Sequence, residues 1–382
     1  MVVYGTRPEA IKLVTVIRAL DAAPGIDVVS VVTGQHRAML DQVNGLFGIV
    51  PDVDLDVIQP RQQLSDLTAR VMAGVTDAIR EHRPDAVMVQ GDTTTSFVAG
   101  LAAFYEQVPV LHVEAGLRTD DRYNPFPEEM NRRLTSQLAS LHFAPTGLSR
   151  SNLLADGIDT DDIVVTGNTV IDALVDVVGR KLSLENPELG MLNGGPAVLV
   201  TSHRRESWGE PMAHTAAALA RLAKEFPEVR FLLPAHLNPV VREVLLPPLE
   251  GFDNVTITAP LSYSDFAYAM NACSIMLTDS GGVQEEAPSL GKPVLVLRDN
   301  TERPEAVDAG TVRLVGTDED RIFSEVSTLL TDPVAYDFMA QAVNPYGDGH
   351  ASPRIVAAVE ELFGLGHRMP AWSACESGAE ER

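Results

Sequence analysis

Short apolar runs alternate with longer amphipathic stretches along most of the chain. "MVVY", "DVVSVVT", "DAVMVQ" and "VPVLHV" are the apolar runs of the first half. Runs of this kind mark parallel strands buried on both faces. Between them, "PEAIKLVTVIRAL" and "LSDLTARVMAGVTDAIREH" repeat apolar residues at helical spacing. In the second, Leu64, Leu67, Val71, Val75 and Ile79 predict one stripe on one face. Strand and helix in strict alternation predict an α/β fold built on a doubly wound parallel sheet.

The alternation weakens in "RKLSLENPELGMLNGGP", which is polar and rich in Pro and Gly. A second series follows: "AVLVT", "VRFLLP", "NVTIT", "CSIMLT", "PVLVL" and "TVRLV". The pattern predicts a Rossmann-like domain over 1–180, a linker over 181–195 and a second Rossmann-like domain over 196–350. A last helix over 351–365, with Ile355, Val359 and Leu362 at apolar spacing, is expected to cross back to the first domain. Residues 366–382 read as a flexible tail. Ligands of open α/β sheets bind outside the carboxyl ends of the strands. Two such domains are expected to face a central cleft, with the chemistry on the segments that follow strands.

Composition narrows the partners. The chain has 382 residues, 45% of them hydrophobic, enough for two cores. Its formal net charge of −24 argues against nucleic acid or an anionic membrane surface. Cys273 and Cys375 support neither a disulfide framework nor a zinc site. No apolar run approaches the roughly 20 residues of a membrane helix, and the first residues lack the form of a signal peptide. A cytoplasmic location is expected.

Chemistry-bearing residues follow the predicted strands in both halves. After "CSIMLT" comes Ser280-Gly281-Gly282 at a helix start, with Glu285 and Glu286 about one turn on. Bare N–H groups at a helix start suit a phosphate, and a carboxylate one turn later suits a ribose diol. A turn whose glycines only make the bend accounts for the same residues. After the first strand, Arg7 and Lys12 flank another helix start, where two cations suit a bound anion. Gln35 and His36 follow the second strand. Asp92 follows "DAVMVQ" and doubles as a candidate helix cap. Glu114 and Arg118 follow "VPVLHV", and Glu128 and Glu129 open the next helical stretch, with Arg132 and Arg133 behind them. Clustered carboxylates can hold different protonation states, which suits acid and base work on one substrate. In the second half, His203, Arg204 and Arg205 follow one strand and His236 another, a set that suits a diphosphate. The chain contains no G-x-G-x-x-G fingerprint, Walker loop, G-x-S-x-G elbow or H-E-x-x-H pair.

Taken together and in order, these motifs resemble the bacterial non-hydrolysing UDP-N-acetylglucosamine 2-epimerases. The resemblance runs from about residue 2 to 362 through "GTRPEAIK", "QHRAMLDQV", "GDTTT", "HVEAGLRT", "PFPEEMNR", "TGNTVIDAL", "HRRESWG", "HLNPVVRE", "LTDSGGVQEEAPSLGKPVLV", "TERPEAVDAGTVRLVG" and "NPYGDG". It implies the two-domain glycosyltransferase-B-like fold, usually as a homodimer, with no cofactor and no metal. It implies a UDP-sugar substrate inverted at carbon 2 by proton removal, loss of UDP to a 2-acetamidoglucal, and re-addition. Carried over by position, it implies acid–base roles for Asp92, Glu114 and Glu128, and His203 at the leaving diphosphate. Arg7 and Lys12 would hold the nucleotide-sugar, and Ser280, Gly281 and Gly282 the diphosphate. Glu286 would take the ribose, with Glu285 the less informative neighbour. Arg303 would add a phosphate or sugar contact, and Leu261 and Phe266 would lie at the uracil.

Some positions depart from the family pattern. The first strand starts at Met1, a few residues short of the usual length, and Thr15 stands where a proline is usual. Leu261 stands where a glutamine is frequent. Some relatives bind a second substrate molecule as activator; Gln35, His36, Arg61, Gln62 and His236 match that site, with Arg204 near it, but Ala38 replaces a glutamine. Three other readings use the same grip on UDP: a 2-epimerase of another UDP-2-acetamido sugar such as a diacetamido uronic acid, a UDP-sugar glycosyltransferase, and a non-catalytic UDP-sugar sensor. A hydrolysing relative usually carries a fused kinase domain, for which this chain is too short.

Overall fold

The structure, a computed structural model, describes residues 1–35, 37–59, 61–119, 121–180, 182–204 and 207–374. The chain divides into two compact units: Met1–Ala173 with the returning segment from Tyr346, and Leu174–Pro345.

The first unit alternates strand and helix as the pattern predicts: β1 (Val2–Tyr4), α1 (Arg7–Asp21), β2 (Ser30–Val32), α2 (Arg37–Phe47), β3 (Val53–Asp54), α3 (Leu64–His82), β4 (Val87–Gln90), α4 (Thr94–Tyr105), β5 (Val110–Val113), α5 (Glu128–Leu138), β6 (Leu141–Ala144), α6 (Gly147–Ala155), β7 (Ile163–Val165) and the start of α7 (Thr169–Gly179), whose residues from Leu174 are counted with the second unit. The seven strands form one parallel sheet in the order β3-β2-β1-β4-β5-β6-β7. Strand order therefore reverses between β1 and β4. Every residue of β1, β4, β5 and β6 is buried, as a sheet covered on both faces requires. Val3, Val31, Val87 and Val89 of the sheet pack with Val71 and Val75 of α3 and Val98 and Ala99 of α4. The α3 stripe is buried from Leu67 to Ile79, but Leu64 is 44% exposed. It is the first residue of the helix, ahead of the turns that meet the core.

The second unit holds β8 (Ala197–Thr201), α8 (Glu210–Glu225), β9 (Arg230–Pro234), α9 (Pro239–Leu245), β10 (Val255–Thr258), α10 (Tyr263–Ala272), β11 (Ile275–Thr278), α11 (Gly281–Glu286), β12 (Val294–Val296), α12 (Pro304–Asp308), β13 (Val312–Leu314), α13 (Glu319–Thr331) and α14 (Pro333–Ala340). Its six strands are again parallel, in the order β10-β9-β8-β11-β12-β13, reversing between β8 and β11. Val198, Phe231, Leu277 and Leu295 of the sheet pack with Leu219 and Leu222 of α8 and Ile322 and Val326 of α13. The stretch expected as a linker over 181–195 contains a 3-10 helix, Pro187–Leu192, with Leu189 and Leu192 buried. Its entry is fixed by Asp265, which accepts from the N–H groups of Glu185 (3.1 Å) and Asn186 (2.9 Å).

The last helix, α15 (Ala351–Leu362), belongs to the first unit and packs on α1. Asp172 accepts from the N–H groups of Ala351 (3.1 Å) and Ser352 (2.7 Å), a carboxylate at the positive end of the helix. Thr15, the position where a proline is usual, bonds the Ser352 hydroxyl at 2.9 Å. Ile355 and Val359 are buried, whereas Leu362, the final residue of the helix, is 41% exposed. The tail expected from residue 366 is ordered against the first unit as far as Ala374. Trp372 is buried, its N–H donates to the Val165 carbonyl at 2.8 Å, and the Arg354 guanidinium lies 5.6 Å from its ring. Residues 375–382 of that tail lie outside the described residues. Among the described residues, no helix is long and apolar enough to cross a membrane.

Candidate active site

In each unit the marked residues follow strands at or next to the reversal in strand order, where open α/β sheets bind ligands. Arg7 opens α1 after β1, Asp92 follows β4, and Glu114 follows β5.

In the first unit, Glu114 is the most heavily braced of the marked carboxylates. One oxygen meets the Lys12 ammonium at 2.5 Å and the Asn168 amide at 3.1 Å; the other accepts from the Gln90 amide. Its side chain is 7% exposed, and its backbone is left-handed (φ 62°), costly for a residue other than glycine. Asp92 is paired with the Arg132 guanidinium, and its carbonyl accepts from Asn131 at 2.9 Å. Burial lifts the Asp92 carboxyl above its usual pKa; Arg132 and Lys12 pull against this, and the Glu114 charge adds to it. Both carboxylates thus stand beside a cation; Glu114 also accepts from two amide donors, while burial lifts Asp92 toward its protonated form. Glu128 is the first residue of α5 and is part-buried. Its neighbour Glu129 is fully buried and structural: it pairs with Arg133 at 2.6 Å and accepts from the Thr119 N–H at 3.0 Å. Arg118 is likewise structural, held by Asp156 at 2.7 Å.

The turn after β1 is tied to the turn after β4 by Glu9, a residue the motif reading passed over. Its carboxylate accepts from the N–H groups of Gly5 (3.0 Å) and Thr6 (2.7 Å) and from the Thr93 hydroxyl (2.6 Å). The sequence signal was present: Thr6 and Glu9 have capping-box spacing, and the box forms. Arg7 is part-buried, and its side chain makes no hydrogen bond or ion pair with the described residues.

In the second unit, His203 and Arg204 follow β8 and are organised by Asp279, the residue after β11. The buried Asp279 carboxylate accepts from the N–H groups of His203 (2.6 Å) and Arg204 (2.8 Å), and its other oxygen lies 3.1 Å from His203 Nδ1. Burial works against the Asp279 charge, but the His203 ring and these N–H groups outweigh it and hold the carboxyl below its usual pKa. The contact turns Nδ1 inward and leaves Nε2 of the half-exposed ring available. His236 stacks beside it, with ring centroids 5.9 Å apart and 16° between planes.

Ser280 stands at the N-cap position of α11, a helix of six residues, without a side-chain capping bond, and Gly281 and Gly282 open its first turn. The Arg303 guanidinium lies over Gly281: a Cβ there would stand 2.6 Å from Nη1 and 2.9 Å from Cζ. Glu286 folds back over Gly282, its Oε1 3.1 Å from where a Cβ would be, as the four-residue spacing predicts. Glu285 is more than a bystander. It is buried and holds Arg303 Nε at 2.5 Å, so it sets where that guanidinium stands.

Leu261 and Phe266, before and within α10, are part-buried. Of the residues matched to an activator site, Gln35 accepts from Thr95 at 3.2 Å, Gln62 is taken up by Arg70, and Arg61 is exposed with a left-handed backbone (φ 58°). His36 and Arg205 lie outside the described residues. Among the described residues, no cluster of His, Cys, Asp or Glu has the makings of a metal site.

A family model described as UDP-N-acetylglucosamine 2-epimerase matches residues 18–360. The chain belongs to the UDP-N-acetylglucosamine 2-epimerase family. It is 51% identical over 368 residues to the UDP-N-acetylglucosamine 2-epimerase of Bacillus subtilis strain 168, covering 96% of each chain. It is 50% identical over 367 residues to that of Escherichia coli K12, covering 94% of this chain and 98% of the other. Among solved structures, it is similar to the Neisseria meningitidis UDP-GlcNAc 2-epimerase bound to UDP-GlcNAc, at 47% identity and a TM-score of 0.83, over 94% of this chain and 99% of the other. Membership makes the protein an isomerase and its two parallel-sheet domains a glycosyltransferase-B-like pair.

Proposed function

We propose that the protein reversibly converts UDP-N-acetylglucosamine to UDP-N-acetylmannosamine. A base removes the proton at carbon 2 while UDP leaves carbon 1 on the opposite side, giving 2-acetamidoglucal. UDP then adds back and an acid returns a proton to the other face of carbon 2.

Asp92, Glu114 and Glu128 carry the proton transfers in this reading. The observation that carries it is the contrast between two of them: Glu114 braced by Lys12, Gln90 and Asn168, and Asp92 lifted by burial beside Arg132. Carboxylates in unlike surroundings separate an acid from a base. His203, with Nδ1 against Asp279, meets the charge that develops on the leaving diphosphate. Ser280, Gly281, Gly282 and Arg303 take the diphosphate, Glu286 the ribose, and Leu261 and Phe266 the uracil. Arg7 and Lys12 hold the sugar-phosphate end. The UDP-GlcNAc bound to the Neisseria relative supports the substrate assignment.

The test is turnover of a panel of UDP-2-acetamido sugars, followed by proton NMR of the sugar ring. UDP-N-acetylglucosamine should give the manno epimer and stop at a mixture of both. Turnover of a diacetamido uronic acid alone would reassign the substrate, and no epimer from any member would overturn the function.

A further inference from the structure

His112 lies on β5, two residues before Glu114, and its side chain is fully buried. Its Nε2 stands 2.8 Å from the Gly91 carbonyl oxygen, on the turn that delivers Asp92. A carbonyl only accepts, so the imidazole carries a proton on Nε2, while its buried Nδ1 has no hydrogen-bond partner among the described residues. Burial lowers its pKa to about 4, which keeps the ring neutral at ordinary pH. The charged groups around it are Arg118, Glu114 and Arg132, and the buried His142 ring of β6 stands 6.4 Å away, edge-on.

Gly91 has a left-handed backbone (φ 69°), and its N–H donates to the Val113 carbonyl at 2.9 Å. β5 therefore grips both polar groups of Gly91. The grip on the oxygen has the further effect. The Gly91 carbonyl and the Asp92 N–H share one rigid peptide plane. Holding the oxygen fixes that plane, and with it the direction in which the Asp92 side chain departs. Asn131 donates to the Asp92 carbonyl and Arg132 to its carboxylate.

We propose that His112 is a positioning residue for the epimerisation: by anchoring the Gly91–Asp92 peptide plane it sets the Asp92 carboxylate, and it moves no proton itself. The inference rests on the reading of Asp92 as an acid–base group.

The test compares His112→Gln, whose amide nitrogen falls near Nε2, with His112→Asn, which is too short to reach Gly91. His112→Asn should lower kcat by about 10- to 100-fold, the cost of a displacement on the order of 1 Å, with KM and UDP affinity nearly unchanged. His112→Gln should stay within about threefold of the parent, and His112→Asn should cost nothing further in an Asp92→Asn background. Nitrogen-15 spectra of the unmutated protein, labelled in histidine, should show His112 neutral with its proton on Nε2 down to about pH 5.5. Full kcat in His112→Asn, equal loss in both variants, or an Nδ1–H or charged ring would each overturn the inference. A slow Asp92→Asn enzyme beside a fast His112→Asn enzyme overturns this inference alone; a fully active Asp92→Asn enzyme overturns the reading of Asp92 as well.

Discussion

Adding one methyl group at Gly281 should weaken the grip on UDP. An alanine Cβ there meets Arg303 Nη1 at 2.6 Å, so the guanidinium must retreat by about 0.8 Å to reach ordinary contact at 3.4 Å. Arg303 is held by Glu285 at 2.5 Å, and the pair is only 19% and 4% exposed, so solvent does little to screen it. A retreat of that size along the bond stretches it past the 3.2 Å limit of a good hydrogen bond. Losing a hydrogen bond between charged groups costs about 1.5–3 kcal/mol. The gain from replacing glycine by alanine in a helix is at most about 1 kcal/mol. The net loss of about 0.5–2 kcal/mol should appear in urea unfolding, and displacement of Arg303 should weaken UDP binding by roughly 2- to 30-fold. Calorimetric titration with UDP reads the second effect directly. If Gly281→Ala binds UDP and unfolds as the parent does, Arg303 is not seated by Glu285 and takes no part in the grip.

Two further outcomes follow from the same structure. Glu286→Ala should weaken UDP binding by about 1.5–3 kcal/mol, the range for a hydrogen bond to a charged group; unchanged affinity in a calorimetric titration, with the fold intact, would remove Glu286 from the ribose site. Burial lowers His112 to about 4, and burial with the neighbouring His112 lowers His142 to about 3. A depressed pKa makes the unfolded chain bind more protons than the folded one, so this part of the stability is fully present above the ordinary histidine pKa near 6.5 and is lost as pH falls from there through the folded values. Each histidine should contribute a slope of about 1.4 kcal/mol per pH unit between about pH 6 and 5; denaturant unfolding across that window would refute the burial argument if stability stayed flat.

The fold was legible because a parallel sheet covered on both faces writes each strand as an apolar run. β4, β5, β8 and β11 could be read without help from their neighbours. Helix ends were less legible. Leu64 and Leu362 keep the apolar spacing but sit in terminal turns, where they stay 44% and 41% exposed. The supposed linker hid two buried leucines, Leu189 and Leu192, in a stretch whose prolines and glycines suggested only a loop. Trp372 gave too short a signal to show that the tail packs. In the site, Asp92, Glu114, His203 and Glu286 stood out because each follows a strand or shares a helix face with a glycine pair. The residues that brace them did not, since bracing is a matter of distance in space: Lys12 and Glu114 are 102 positions apart, and Asp279 and the His203 N–H are 76 apart. Glu285 was read as the lesser of two neighbours because nothing local says that Arg303, 18 positions on, bonds it.

The most direct test of the proposed chemistry is hydrogen exchange at carbon 2. Inversion by proton removal on one face and delivery on the other passes through two separate acid–base groups, which exchange with water. The protein should be incubated with UDP-N-acetylglucosamine in heavy water, and the UDP-N-acetylmannosamine formed should be weighed by mass spectrometry. The product should carry one deuterium at carbon 2, with a trace of 2-acetamidoglucal and free UDP on long incubation. Epimerised product carrying no deuterium would contradict the proposed chemistry.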